Sequence, residues 1–248
     1  MNKFVVLTLW YVLFGVIALV ALVWSVVEVI EGDYITTAVV LGFVSCCVGF
    51  IAYLSLPMSG VVTPRAEYDD IGTTIRRDSA VDISYLLIVG GAFISVITVA
   101  VFGWSGRIDI ALPPGQSWSR YAGVAVLATL ALLPVLWMTV RYRGTGFIRM
   151  THAGIEILGR AGLTSCGWDE IADITDRRDG KGTSPRGMLY VIKGKGPELS
   201  VTADAYTPGG EALCRFVRFY LTYPDYRDEL IDGRAVQRFW AENQWAAS

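Results

Sequence analysis

Residues that could do chemistry are few and scattered in this 248-residue chain. The single histidine, His152, lies in a predicted turn and has no serine or cysteine partner in the pattern of a catalytic triad. Cys46 and Cys47 are adjacent inside an apolar run, while Cys166 and Cys214 are far apart. A structural zinc site needs four nitrogen or sulfur ligands at short spacings, so these residues do not indicate one.

Two further motifs could be mistaken for sites. Gly180-Lys181-Gly182-Thr183 contains the lysine and threonine of a phosphate-binding loop, but the upstream glycine and the following helix are missing. The carboxylates of Glu67-Tyr68-Asp69-Asp70 could hold a metal ion, although a solvated cytoplasmic loop explains them better. We therefore expect a protein that is not an enzyme, with no catalytic residue, no metal and no cofactor.

The distribution of charge divides the chain into two parts. Charged residues make up 18% of the whole, against about 25% in a soluble domain. Residues 143–248 carry 14 basic and 14 acidic side chains, whereas the charges of residues 1–142 are mostly confined to loops. The net charge of −2 argues against a nucleic-acid partner. The sequence thus predicts a transmembrane domain over residues 1–142 and a globular domain over residues 143–248.

Four uncharged runs are long enough to cross a bilayer as helices. At 1.5 Å per residue, each reaches about 30 Å or more, the thickness of the hydrocarbon core. No ionisable residue lies inside any run, which disfavours an ion or proton pathway. The predicted spans of this four-helix bundle are residues 4–27, 35–56, 83–104 and 121–140.

Basic residues in the short loops predict the orientation of these helices. With both termini in the cytoplasm, seven basic residues lie inside and two, Arg107 and Arg120, lie outside. The loop Glu28–Tyr34, which has three acids and no basic residue, then faces outward. We expect a multi-pass protein of the inner (plasma) membrane of the cell, with both termini cytoplasmic.

The globular part combines short β segments with helices. Apolar alternation and turn residues predict about five antiparallel strands, and apolar residues at helical spacing predict one helix face. A second, weaker helix is predicted over residues 225–242. The strands are Gly146–Thr151, Ile155–Leu158, Ser165–Ile174, Met188–Lys193 and Glu198–Thr202, and the helix face is Leu213, Phe216, Val217, Tyr220 and Leu221.

One of these strands contains a conflict. Side chains alternate between the two faces of a strand, so Trp168 and Ile171, three residues apart, cannot both point inward. A bulge or turn near Asp169 would allow both to do so. We therefore expect such an irregularity and a buried Trp168.

The order of elements resembles that of the pleckstrin-homology-like (PH-like) domains fused to bacterial membrane segments. The resemblance lies in the turn Thr151–Glu156, in the stretch Trp168–Ile174 and in the helix that follows the last strand. The ending Phe219–Leu230 is similar to actinobacterial membrane proteins of this kind. The resemblance implies a membrane all-α four-helix transmembrane bundle followed by a small C-terminal PH-like β-barrel/α domain. Such domains bind lipid head groups, peptides or other proteins.

One loop offers a candidate contact with anionic lipid or a partner. Arg177, Arg178, Lys181 and Arg186 cluster there, and an anionic membrane attracts each basic residue near its surface by about 1 kcal/mol. Three acids are interleaved with them, so a merely solvated loop is the alternative. The turn between the first two predicted strands has no lysine or arginine, which departs from the phosphoinositide-binding members of the family.

Three functions follow as hypotheses. We expect a non-enzymatic integral membrane scaffold or accessory protein that binds a partner protein or complex through its cytoplasmic PH-like domain. A small channel or transporter subunit is an alternative, which a polar-lined cavity between the helices would favour. A lipid-acting membrane enzyme is another, which would need clustered polar groups at the inner interface. The expected partners are membrane lipid and another membrane or cytoplasmic protein, with no nucleic acid.

Overall fold

The computed structural model describes residues 3–246 apart from 111, 114, 143, 160–161, 177–186 and 195. The chain forms two compact units. The first contains residues 1–54 and 83–143, and the second contains residues 55–82 and 144–248. The second unit therefore takes a segment from between the second and third helices in addition to the predicted C-terminal domain.

Four helices are long and apolar enough to cross a membrane, and each overlaps one predicted span. The first of these helices continues to Glu31, so Glu28 belongs to it and not to the loop in which the sequence placed it. The helices are α1 (Lys3–Glu31), α2 (Tyr34–Ser59), α3 (Ser79–Phe102) and α4 (Trp118–Arg141).

The chain reverses sharply between α1 and α2. Gly32 adopts φ +83°, a conformation that glycine reaches without a steric penalty. The Asp33 carboxylate then accepts hydrogen bonds from the backbone N–H groups of Ile35 and Thr36, at 3.1 and 3.0 Å. Asp33 thus caps the first turn of α2, because it accepts from donors that have no partner within the helix.

Helices α2 and α3 approach closely through small residues. A Cβ atom on Gly42 would lie 2.6 Å from the carbonyl oxygen of Gly91, so neither backbone leaves room for a side chain. The Ser95 hydroxyl donates to the carbonyl of Val39 at 2.8 Å. Close approach and hydrogen bonds between helices are the usual sources of stability in membrane helix pairs.

Two strands from between α2 and α3 belong to the second unit. Strands β1 (Arg65–Tyr68) and β2 (Gly72–Arg76) start a five-stranded antiparallel sheet whose strands pair in chain order. Ile75 of β2 pairs with Ile148 of the third strand, and both side chains are fully buried. The remaining strands are β3 (Phe147–Thr151), β4 (Gly154–Gly159) and β5 (Gly162–Gly167).

The acidic run at residues 67–70 is exposed, as expected of a solvated segment, but it belongs to a β-hairpin and not to an irregular loop. Glu67 and Tyr68 end β1, and Asp69 forms the turn into β2 by accepting from the backbone N–H groups of Ile71 and Gly72, at 3.0 and 2.9 Å. The carboxylate of Asp69 therefore organises a β-turn, a common role of aspartate.

The second sheet contains β6 (Ile171–Thr175), β7 (Met188–Lys193) and β8 (Leu199–Thr202), all antiparallel. Within the described residues no strand pairing joins the two sheets, so the predicted closed β-barrel is wrong. The chain passes from β5 to β6 through a single 3-10 turn over Trp168–Glu170, which ends one sheet and starts the other.

This turn confirms the irregularity predicted near Asp169. It divides the single predicted strand Ser165–Ile174 between β5 and β6. Trp168 is only 5% exposed and Ile171 is also buried, as the apolar character of both requires.

Three helices complete the second unit: α5 (Glu211–Thr222), α6 (Glu229–Asp232) and α7 (Arg234–Ala246). Four of the five residues predicted on the apolar face of α5 are fully buried, which confirms that face. The single helix predicted over residues 225–242 is wrong, because Gly233 has φ +84° and separates α6 from α7. A Cβ atom on Gly233 would lie 2.9 Å from the ring of Tyr68, so the position requires glycine.

Candidate partner-binding surface

Polar contacts tie together the three segments through which the second unit continues into α2, α3 and α4. The backbone N–H of Thr63, which follows α2, donates to Asp78 Oδ2 at 2.5 Å. Asp78 directly precedes α3, and its Oδ1 accepts from the backbone N–H of Ala80 at 2.7 Å. Thr145, which follows α4, donates to Asp82 Oδ1 from its backbone N–H at 2.8 Å and from its hydroxyl at 2.6 Å. The three segments thus meet inside the second unit.

Arg77 stands between this cluster and a cavity of about 460 Å³. Its Nη1 donates to the Thr145 hydroxyl at 3.1 Å, and its guanidinium lies 5.6 Å from the centre of the Tyr206 ring. The hydroxyl groups of the cavity come from β5 and β8, but Glu198 also lines it. A positive and a negative side chain therefore share the cavity, which does not favour an anionic ligand.

Asp204 is the residue of this region whose protonation is most perturbed. Burial raises the pKa of Asp204 from 3.8 to about 6, and hydrogen bonds from the backbone and the charge of Arg77 oppose this rise only in part. One carboxylate oxygen of Asp204 has no hydrogen-bond partner among the described residues. Protonation would remove the cost of burying that charge.

We predict that Asp204 makes the second unit more stable as the pH falls from about 7 to about 5. The folded-state pKa lies above the ordinary value, so this stabilisation is complete below about 3.8 and is lost as the pH rises through about 6. Asp204→Asn should abolish the pH dependence that this residue contributes. The thermal unfolding midpoint of the purified chain between pH 5 and pH 7.5 measures it.

The matched control is Asp225→Asn, which changes an exposed carboxylate in the same unit. Wild type and the Asp225 variant should gain stability in parallel on acidification, while the Asp204 variant gains less. Parallel behaviour of all three proteins would contradict the prediction.

Three aromatic side chains form a surface at the end of α5. Phe219, Tyr223 and Tyr226 are in mutual contact, with ring centres 5.1, 5.4 and 6.2 Å apart. Pro224 starts a 3-10 turn that returns Tyr226 against Phe219. Tyr223 is 52% exposed and Tyr226 is 47% exposed. We call these three residues the aromatic surface.

An ion pair between a buried carboxylate and a partly exposed arginine supports the aromatic surface. Glu229, only 6% exposed, accepts two hydrogen bonds from Arg238, both at 3.0 Å. The guanidinium of Arg238 in turn lies 4.2 Å from the centre of the Phe219 ring, a cation–π contact. The hydrogen bonds to Glu229 raise the pKa of Arg238 above its ordinary value, so Arg238 stays charged. The aromatic rings are thus held by α6 and α7 as well as by α5.

A second arginine extends this surface towards the first sheet. Arg227 lies 4.7 Å from the ring centre of Trp168, and its Nε donates to the carbonyl of Tyr220 at 3.0 Å. The indole N–H of Trp168 donates to the carbonyl of Thr151 at 2.9 Å. The arginine therefore packs against the ring of a tryptophan that is almost fully buried.

The predicted contact residues lie outside the part that the structure describes: Arg177, Arg178, Lys181 and Arg186. His152 Nδ1 lies 3.5 Å from Asp228, with both side chains about three-quarters exposed, so the two form at most a surface ion pair. Among the described residues there is no group of three or more histidines, cysteines or carboxylates able to hold a metal ion.

Sequence reasoning did not identify the aromatic surface as a site. The signal was present as four aromatic residues among positions 219–226. It could not be interpreted, because Arg238 and Glu229 reach these rings from helices that follow later in the chain.

Comparison with known proteins gives no match. No protein-family model fits the chain, and no curated protein or solved structure is similar to it. The fold defines a chain with four apolar helices and a second, mainly C-terminal unit with two small antiparallel sheets.

Proposed function

We propose that this chain is a non-enzymatic membrane adaptor whose second unit, a PH-like domain, binds a partner protein at the aromatic surface. The observation that carries the proposal is the pair of half-exposed tyrosines, Tyr223 and Tyr226, held in place by packing and by Arg238. Tyrosine and arginine are enriched among the residues that dominate the energy of protein interfaces. Pre-positioned side chains lose little conformational entropy on binding.

The PH-like assignment rests on the order of the elements. Two antiparallel sheets are followed by a helix, α5, whose apolar face is buried. The insertion of β1 and β2 supports the adaptor role, because it attaches the domain to three membrane helices instead of one. A domain held in this way is suited to keeping a bound partner at a membrane.

Among the alternatives, the lining of the helices gives no support to a channel or transporter subunit. A groove of about 650 Å³ is lined by residues of α1, α2 and α3 and by Ile110. Its side chains are apolar apart from Ser95 and Cys46. A pathway for ions or polar solutes would need polar groups along it.

Site-specific photo-crosslinking in living cells tests the adaptor role. We expect a photoreactive amino acid at Tyr223 and another at Tyr226 to give the same discrete crosslinked protein. Leu163, a half-exposed apolar residue elsewhere in the second unit, is the matched control position and should not give that product.

Substitution gives a second readout. Tyr223→Ala with Tyr226→Ala should weaken binding of the crosslinked partner to the purified chain by at least about thirtyfold, the effect of losing a dominant interface residue. Leu163→Ala should have little effect. Equal crosslinking from all three positions, or unchanged binding by the double variant, would contradict the proposal.

We also propose that the membrane is the inner (plasma) membrane and that both termini are cytoplasmic, from the distribution of basic residues. A reporter that is active only inside the cell should be active when fused to the C-terminus. The same reporter inserted at Gly115, between α3 and α4, should be inactive. The opposite pattern would place the second unit, and with it the proposed partner, outside.

A further inference from the structure

The end of α1 contains a buried carboxylate. Glu28 is 6% exposed, and the indole N–H of Trp24 donates to its Oε1 at 2.6 Å. Ser25, in the same turn, is also buried. Burying a carboxylate is costly unless it is hydrogen-bonded or paired with a cation, so its position in a membrane helix indicates a role.

Glu28 continues the helix stripe that lines the apolar groove. The residues of α1 in the groove recur at spacings of three and four, and Glu28 follows the last of them, Trp24, by four residues. Trp24 therefore belongs to the groove and also holds the carboxylate. The α1 residues of the groove are Val16, Ile17, Val20, Ala21 and Trp24.

The carboxylate of Glu28 has hydrogen-bonding capacity to spare. An ionised carboxylate has about four acceptor positions, and Trp24 is the one side-chain donor that the described residues bring to it. No described lysine or arginine pairs with it, and Glu31 and Asp33 add negative charge at the same end of the helix. A ligand group that complements this end of α1 would be a positively charged hydrogen-bond donor.

We propose that the groove and Glu28 together bind an amphiphile with an apolar chain and a protonated amine head group. The chain lies along the groove, which follows α1 for about 12 Å between Val16 and Trp24. The ammonium group donates to the Glu28 carboxylate beside the Trp24 indole. An ammonium phospholipid and a free alkylamine share this chemistry.

Matched probes test the head group. The purified full-length chain in detergent is titrated with tetradecylamine, tetradecanol and tetradecanoate, and bound probe is counted by native mass spectrometry. The unaltered chain should bind the amine at least about tenfold more tightly than the alcohol, because hydrogen bonds to charged groups are the strong ones. The carboxylate should bind most weakly. Equal binding of all three probes would overturn the proposal.

Three variants separate charge from shape. Glu28→Gln should abolish the preference for the amine, while Glu31→Gln, which removes an exposed negative charge from the same helix, should keep it. Val20→Trp, at a mostly exposed position of the groove, should weaken the binding of all three probes equally because the larger side chain fills the groove. Equal loss in both glutamine variants would show a general charge effect and overturn the site, as would unchanged binding by Val20→Trp.

Nanodiscs distinguish the two sources of the ligand. The chain is reconstituted in nanodiscs that contain equal amounts of phosphatidylethanolamine and phosphatidylglycerol. The lipid that remains bound after the chain is released from the nanodisc is then identified. Retention of phosphatidylethanolamine, lost in Glu28→Gln, assigns the site to an ammonium phospholipid. Retention of added tetradecylamine alone assigns it to a smaller amphiphile. Retention of neither, or preferential retention of phosphatidylglycerol, overturns the proposal.

Discussion

Residues 144–248 expressed alone will not form the native second unit, whereas the same residues joined to residues 60–78 will. Strand β2 pairs with β3 along its whole length and brings two fully buried side chains, Thr73 and Ile75. The Thr73 hydroxyl also donates to the carbonyl of Leu230 at 2.7 Å, which fixes α6 to this strand. Losing one buried isoleucine costs about 2–5 kcal/mol, and a domain has about 5–15 kcal/mol in total.

The test compares two fragments, residues 144–248 and residues 60–78 connected to them by a glycine/serine linker. We expect only the joined fragment, and not residues 144–248, to show a cooperative thermal transition by circular dichroism. Within it, Ile75→Ala should lower the midpoint strongly, while Ile71→Ala, at an exposed position of the same segment, should not. If residues 144–248 unfolded cooperatively with the same midpoint as the joined fragment, β1 and β2 would be dispensable for folding.

Replacing Trp168 by alanine will destabilise the second unit by about 3–5 kcal/mol, the range for removing a large buried aromatic side chain. The substitution leaves a cavity at the turn between β5 and β6, where the indole is 5% exposed. It also leaves the carbonyl of Thr151 without the indole N–H and removes the ring that Arg227 covers. The loss of both contacts adds to the loss of apolar burial.

Trp240→Ala provides the matched control, because Trp240 is substantially exposed on α7. Replacing Trp240 should lower the free energy of unfolding by well under half of the loss caused by replacing Trp168. Urea unfolding of the joined fragment measures both free energies, and limited proteolysis of the full-length chain gives the same ranking in detergent. Equal costs for the two tryptophans would mean that Trp168 does not support the core.

Local sequence patterns were sufficient for several elements. The four apolar helices could be predicted because twenty consecutive apolar residues have one stable arrangement in lipid, a helix that satisfies its own backbone. The buried face of α5 could be predicted because Phe216 and Tyr220 recur at helical spacing. The turn at Trp168 was predicted because two apolar residues three apart conflict with strand alternation.

The sequence by itself therefore determined the four apolar helices, most C-terminal strands and the burial of Trp168. Tertiary structure decided that β2 pairs with β3, although α3 and α4 separate Ile75 from Ile148 in the chain. It also decided that Arg238 reaches Phe219, and that Glu28 is buried beside Trp24. Strand pairing and cation–π contacts join residues from different elements of the chain, and the burial of Glu28 depends on what packs against α1. Local periodicity does not contain this information.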